Sequence, residues 1–348
     1  MLKGTPVGSA LCVSACNFDG VESFLVFGAG GQDGLILSRR LAVRGEDVTC
    51  LAGNVTSKIA IERYAPNARV EVVDIRDQEA VMKVVAKVKP TRVFNFAAIS
   101  SVASSWSHPR ESLDVNLLGV ANIVTAIKAT RDWDVKFFQS SSSEVFATSA
   151  SPLHEGSPRL PRSPYGIGKH AADRLLEQYR ENDGLFAASG IFFNHESPLR
   201  QQSFLTRHVS RGVAEVAAGI RDTIPLGNID AVRDWGYAPD YVSAAELILD
   251  APSPADYVVS SGTLHSVRDV LDVAFSSVGI ADWGVHIETE EGRFRPADVN
   301  GAVGDSTRAQ RELGWGQTRT FAETIAEMVS HDVDLIAQGV ESLWVEDL

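Results

Sequence analysis

Short apolar runs alternate with segments of helical period along the first two hundred residues, and this alternation limits the chain more than any other feature. Phe24–Phe27 runs into Gly28-Ala29-Gly30-Gly31-Gln32-Asp33-Gly34, and Leu35–Val43 follows with helical spacing. Asp47–Leu51, Val70–Val73, Val93–Ala97, Val135–Gln139 and Ala187–Phe193 read as further strands. Gln78–Val88, Asn116–Thr130 and a segment opening at Ser163-Pro164 read as helices. Val81, Val84, Val85 and Val88 form one apolar stripe, and Leu117, Val120, Ile123, Val124 and Ile127 another. Strands separated by helices pair in parallel and carry helices on both faces. The fold class implied is α/β: a doubly wound parallel sheet, with a smaller C-terminal lobe where the pattern loses its regularity.

The chain has 348 residues, 44% of them apolar, enough for a large domain with a lobe. Its formal charge of -13 argues against a nucleic-acid or anionic-membrane partner. Anionic ligands must then be held by local arginines and backbone amides. Cys12, Cys16 and Cys50 are too few for a disulfide framework and lack zinc-type pairing, so no metal is expected and a cytoplasmic setting is. No apolar run approaches the roughly 20 residues of a membrane span. Residues 1–20 read as an extension and 331–348 as a tail.

Ligands of such sheets sit beyond the carboxyl ends of the strands. The glycine loop, Asp74, the stretch after Phe96 and Ser140-Ser141-Ser142-Ser143-Glu144 all follow strand ends and should line one rim. Gly28, Gly31 and Gly34 have the spacing of a dinucleotide-phosphate loop at a helix N-terminus. Tyr165 and Lys169 lie four apart at the start of a helix, with Ser163 as its cap and Pro164 in its first turn. A lysine beside a phenol favours phenolate, so Tyr165 is expected to take a proton near neutral pH. In a strand-like segment Ser142 and Glu144 would face the same way.

The chain resembles the GDP-mannose 4,6-dehydratase family of the extended short-chain dehydrogenase/reductase superfamily. The resemblance rests on Gly31–Gly34, Pro161-Arg162-Ser163-Pro164-Tyr165, Gly190–Pro198 with its Asn194-His195-Glu196-Ser197-Pro198, Leu226-Gly227-Asn228, Arg233-Asp234-Trp235-Gly236, Asp240-Tyr241-Val242 and Phe294–Val299. It implies a Rossmann-like cofactor domain over 21–193, with 231–275 returning to it. It also implies a nucleotide-sugar lobe over 194–230 and 276–330. By the same resemblance Ser142, Glu144, Tyr165 and Lys169 are catalytic. Gly28, Gly31, Gln32, Asp33, Gly34, Asp74, Ile75, Phe96, Ala97, Ala98, Ser100, His195 and Arg200, with Tyr165 and Lys169, hold NADP, NAD being the alternative. Ser142, Asn194, Arg207, Arg233 and Arg295 meet the nucleotide sugar, GDP-mannose. His195 is open to a second reading, a satisfied structural histidine.

The implied chemistry is an internal oxidation, loss of water and re-reduction. Tyr165 takes the proton of the sugar's 4-hydroxyl, Lys169 supports the phenolate, Glu144 removes the carbon-5 proton, and Ser142 serves the departing 6-hydroxyl. The alternatives are a reductase or epimerase on a related nucleotide deoxysugar, and a non-catalytic nucleotide-binding paralogue. Departures from the family pattern are Ser142 for threonine, Leu199 for arginine, His208 for lysine, Glu111 for tyrosine, and no basic loop after the second strand. A homodimer through Asn116–Thr130 and Ser163–Tyr179 is expected.

Overall fold

Seven parallel strands carry the molecule. The computed structural model describes residues 22–130, 133–147, 149, 151–290 and 301–340. Residues 1–20, with Cys12 and Cys16, and the predicted substrate residue Arg295 lie outside the described residues. The strands are β1 (Ser23–Phe27), β2 (Asp47–Ala52), β3 (Arg69–Val72), β4 (Arg92–Asn95), β5 (Lys136–Ser142), β6 (Phe186–Phe192), β7 (Asn194–Glu196), β8 (Ile224–Leu226), β9 (Val232–Tyr237), β10 (Tyr257–Val259), β11 (Leu264–Ser266) and β12 (Ile287–Thr289). The helices are α1 (Gln32–Val43), α2 (Val55–Tyr64), α3 (Gln78–Val88), α4 (Val102–Ser107), α5 (Pro109–Leu113), α6 (Gly119–Ala129), α7 (Pro164–Asp183), α8 (Leu205–Ala217), α9 (Ala238–Asp250), α10 (Val267–Ser277), α11 (Thr307–Leu313) and α12 (Phe321–Ala337).

The main sheet runs β10-β6-β5-β4-β1-β2-β3. Its strand order reverses at β1, which lies between β4 and β2, so the crevice beyond β1 and β4 is where a ligand fits. One face packs Leu35, Leu37 and Leu41 of α1 and Ile248 and Leu249 of α9. The other packs Val81 and Val85 of α3, Ile123 and Ile127 of α6, and Leu176 of α7. A separate core joins Val209 and Val213 of α8, Leu271 and Phe275 of α10, and Met328 and Val329 of α12.

Several boundaries move. β5 continues past Gln139 to Ser142, and Ser143–Val145 then form a single tight turn. Ser142 Oγ accepts the Glu144 N–H at 3.2 Å, a side-chain-to-backbone bond that competes with strand geometry. Ser142 and Glu144 therefore do not share a strand face. The helix expected at Asn116 begins earlier, with α5, then a π-helical turn over Asp114–Leu118, then α6. This run, Pro109–Ala129, is long and apolar enough to cross a membrane, contrary to the reading that no run is. Its residues Val120, Ile123, Val124 and Ile127 are nonetheless buried against α3 and the sheet. Of residues 231–275, α9 and β10 lie on the main sheet. β9 and β11 instead join β7 in a three-stranded sheet, and α10 packs with α8 and α12. α12 continues past residue 330 to Ala337.

Candidate active site

The glycine loop opens with Gly28 at φ +68°, and a Cβ there would stand 2.3 Å from the Ala97 nitrogen. Gly34 is equally confined, since its Cβ would meet Gly28 O at 2.3 Å. Those glycines let β1, the segment after β4, and α1 close up. Gly31 differs: a Cβ there meets only Gly28 O at 3.5 Å. No contact among the described residues demands glycine at 31. The position leaves an open cradle at the N-terminus of α1, where no side chain caps the helix. Amides and dipole at such a terminus favour phosphate, so the loop fits a dinucleotide.

Gln32 and Asp33 turn towards β7 rather than into the open loop. Gln32 Nε2 donates to the His195 carbonyl at 3.1 Å, and Ser197 Oγ donates to Gln32 Oε1 at 2.9 Å. Asp33 Oδ2 lies 2.9 Å from His195 Nε2, while His195 Nδ1 meets the Phe193 carbonyl at 2.7 Å. Burial works against the charge of His195, but the attraction and hydrogen bond of Asp33 outweigh it and the imidazole is held above its ordinary pKa. Burial likewise opposes the Asp33 carboxylate, and His195 and Arg200 overcome it, so that carboxyl is held low. Tyr241 stacks on His195 with centroids 4.5 Å apart. Both ring nitrogens of His195 thus have partners within the protein.

Asp74 is bound by Arg76, whose Nη2 lies 2.7 Å from Oδ2, and Arg76 Nη1 also reaches Glu111 at 3.5 Å. Ile75 is buried beneath Gly119, where a Cβ would stand 2.9 Å from it. Phe96 stacks on Phe94 and tilts against Phe138. Ala97 donates its N–H to Asn95 Oδ1. Ala98 is half-buried and Ser100 exposed on the same segment. Buried Asn116 holds that segment by accepting the Ile99 N–H at 3.1 Å and donating to the Ile99 carbonyl at 3.2 Å. A polar residue amid an apolar stripe was the available signal for Asn116.

α7 begins as its sequence requires: Ser163 Oγ accepts the Gly166 N–H at 3.1 Å, and Pro164 fills the first turn. A Cβ at Gly166 would lie 2.4 Å from the Glu144 carbonyl, so glycine there lets the helix abut the turn after β5. The structure thereby gathers Ser142, Glu144, Tyr165 and Lys169. The Ser142 hydroxyl favours the ionised form of the Tyr165 phenol, and the Glu144 carboxylate opposes it electrostatically. Lys169 Nζ donates to the Ser140 carbonyl at 2.7 Å and lies 5.9 Å from the Tyr165 ring centroid. Burial pushes Tyr165 up to about 12, more than Ser142 and Arg200 offset. Burial also pushes Lys169 down to about 8, against the carboxylates of Asp173 and Asp33.

The remaining predicted contacts divide. Arg200 pairs with Glu196 at 3.4 Å and covers the Phe204 ring at 3.6 Å. Asn194 pairs in register with Trp235 at the junction of β7 and β9. Arg233 Nη1 donates to the Val232 carbonyl at 2.7 Å. Asp234 beside it is buried and accepts the N–H groups of Ser261, Gly262 and Gly304. Arg207 contradicts its assignment to the nucleotide sugar. It is fully buried and ion-paired to Asp332, a residue of α12 that is itself fully buried. Helix rotation turns Arg207 inward, between two helices of the lobe.

Parallel topology, a glycine loop at the switch point and a Tyr–Lys helix beside a serine strand end define a short-chain dehydrogenase/reductase-type protein. Solved structures agree on the fold. RMD from Pseudomonas aeruginosa, complexed with NADPH, matches with TM-score 0.74 at 22% identity, over 90% of this chain and 100% of that one. The dTDP-glucose 4,6-dehydratase of Bacillus anthracis str. Ames, in complex with NAD, matches with TM-score 0.75 at 20% identity, over 89% and 96%. Within that class the chain belongs to the GDP-mannose 4,6 dehydratase family, whose model matches residues 25–328. The Arabidopsis thaliana GDP-mannose 4,6 dehydratase 1 is 36% identical over 324 residues, covering 89% of this chain and 90% of the relative. The Homo sapiens GDP-mannose 4,6 dehydratase is 35% identical over 340 residues, covering 90% and 91%.

Proposed function

We propose that this protein is a nucleotide-sugar 4,6-dehydratase that converts GDP-mannose to GDP-4-keto-6-deoxymannose with NADP, NAD being the alternative. The observation that carries the reading is Glu144, in the tight turn that Ser142 caps and within electrostatic reach of Tyr165. A plain reductase or epimerase needs the tyrosine and lysine; elimination of water also needs a base for carbon 5. The nicotinamide supplies, when bound, a positive charge and a hydride acceptor that returns what it takes. Gly28, Gly31 and Gly34 would receive its pyrophosphate, and Lys169 its ribose.

Tyr165 is protonated in this geometry; a bound cation would offset its burial, the phenol proton would leave to solvent, and the resulting phenolate would accept the 4-hydroxyl proton. The ketone at carbon 4 makes the carbon-5 proton acidic, and Glu144 removes it. Ser142 positions the departing 6-hydroxyl or relays to it the proton that Glu144 takes from carbon 5, so that neutral water leaves and neither residue is left short of a proton. Asn194 and Arg233, and Arg295 from outside the described residues, are proposed to hold the nucleotide sugar; Arg207 is not. The main sheet with α9 is proposed as the cofactor domain and the core of α8, α10 and α12 as the sugar lobe. A cytoplasmic homodimer completes the proposal, with exposed Leu118 and Ile167 on the helical faces that would meet.

Incubation of the purified protein with GDP-, UDP- and dTDP-hexoses and NADP tests the reading. Loss of one water from GDP-mannose, without net change in the cofactor, is the expected result. Reduction or epimerisation without water loss would replace it with the reductase or epimerase alternative.

A further inference from the structure

Three consecutive serines of β5 are each tied to one of three side chains spaced four apart on α7. Ser142 lies within polar reach of Tyr165 and favours its ionised form. Ser140 accepts from Lys169 through its carbonyl at 2.7 Å. Ser141 Oγ donates to Asp173 Oδ2 at 2.6 Å. Residues 165, 169 and 173 form one stripe of the helix, so the first two ties involve proposed catalytic groups and the third does not. Ser141 and Asp173 are both buried, and neither is given a role in the chemistry above.

A buried carboxylate needs compensation. Ser141 and Arg159, whose Nη1 lies 3.2 Å away, supply it in part, and burial with the nearby Asp256 still pushes the Asp173 carboxyl up to about 6, so that it is charged at neutral pH. Arg159 in turn pairs with Asp256 at 3.4 Å, as Arg180 does at 3.0 Å. This network ends in a cavity of about 560 Å³ lined by Arg159, His170, Arg180, Asp256 and Arg308. The groups facing Asp173 are thus Lys169 from its own helix, Arg159 from the segment before it, Ser141 from β5, Ser189 from β6 and Asp256 from the approach to β10.

We propose that Asp173 is a positioning residue, whose bond to Ser141 sets α7 against β5 and whose carboxylate, one helical turn from Lys169, is the counter-charge on its own helix. The proposal rests on the dehydratase reading. It has two separable parts. The tie sets the distance between the Tyr165–Lys169 pair and the Ser142 end of β5. The charge opposes the burial that pulls Lys169 down to about 8.

Two variants separate them. Ser141→Ala removes the tie and keeps the charge. Asp173→Asn keeps an acceptor for Ser141 Oγ and removes the charge. The parent enzyme is assayed first for keto-sugar formation from GDP-mannose; failure there removes the dehydratase reading and leaves the variants unneeded. With an active parent, Ser141→Ala should lower kcat roughly 10–100-fold, with KM within about twofold, because misplacement of the catalytic groups costs rate rather than substrate binding. Its alkaline limb should stay in place, and Ser141→Thr should restore turnover. Asp173→Asn should move the alkaline limb of kcat to lower pH by about one unit, because Lys169 then loses its proton sooner. An unchanged kcat in Ser141→Ala overturns the tie. An unchanged alkaline limb in Asp173→Asn overturns the charge. Melting and circular dichroism decide whether Asp173→Asn folds; if it does not, Ser141→Ala and its threonine rescue alone accept or reject the proposal.

Discussion

On the rim of the main sheet Glu144 stands exposed beyond β5, while in the lobe Arg207 of α8 is fully buried against Asp332 of α12. Both residues were singled out as functional, and both have ionisable side chains. The difference follows from how each region is built. A parallel sheet places whatever follows a strand at one rim, because each strand must end there before its crossover helix begins. Helices packed on helices make no such promise: the side of α8 that faces the core depends on its rotation, and a charge on that side is tolerated when a partner meets it.

Substitutions at the two positions should therefore fail in different ways. Glu144→Gln should lower turnover by about two to four orders of magnitude, the range of a lost general base, with folding stability and NADP binding unchanged. Steady-state rates and equilibrium dialysis with NADP check this; parent-like turnover would end the role proposed for Glu144. Arg207→Met should act on stability instead, costing about 3–5 kcal/mol, because Asp332 is left buried without its cation. Urea unfolding measures it. The double variant Arg207→Met with Asp332→Leu should regain most of that loss, since apolar replacement of a whole buried pair is often neutral. A raised KM for GDP-mannose with unchanged stability would instead put Arg207 back on the substrate.

What could be read beforehand follows the same division. The alternation of strands and helices, the glycine loop and the Ser163-Pro164 start of α7 are local patterns, and each is realised in place. Ser142 and Glu144 were recognisable as strand-end residues, but not the tight turn between them, which depends on the Ser142 hydroxyl accepting the Glu144 N–H. Asp173 repeats the spacing from Tyr165 to Lys169, yet its partner Ser141 lies 32 residues away on another element. Gln32 and Asp33 belong to the loop motif, and only tertiary structure shows them engaged with Ser197 and His195. Long-range polar pairs leave no period in a sequence.

The Asp33–His195 pair lies between the two regions, joining α1 to β7, and pH tests it. His195 is raised above its ordinary 6.5, so its contribution to stability is complete below 6.5 and is lost as pH rises through the higher folded value. Asp33 is lowered from its ordinary 3.8, so its contribution is complete above 3.8 and is lost as pH falls through the lower folded value. Both contributions are complete between those two ordinary values. His195→Gln should cost about 2 kcal/mol at pH 6, the scale of a charged hydrogen bond, and less at pH 9. Urea unfolding at the two pH values checks the sign; a larger loss at pH 9 would contradict the pairing.

The smallest effect belongs to Arg76, at the outer edge of the rim. It holds Asp74 and reaches Glu111, but all three side chains are about half exposed. Exposed ion pairs are screened and contribute about 0–1 kcal/mol, so Arg76→Ala should shift the melting temperature little. Its consequence should lie in cofactor binding. Arg76 neutralises two carboxylates beside the segment proposed to meet NADP, and without it their charge faces an anionic ligand. NADP affinity should then fall a few-fold at low salt and recover as ionic strength rises, because exposed charges beyond a Debye length of about 10 Å at 0.1 M are screened. Titration at two salt concentrations measures this. An affinity that is unchanged at low salt would show that Asp74 and Glu111 stand away from the cofactor, and would confine the functional rim to the strand ends from β1 to β6.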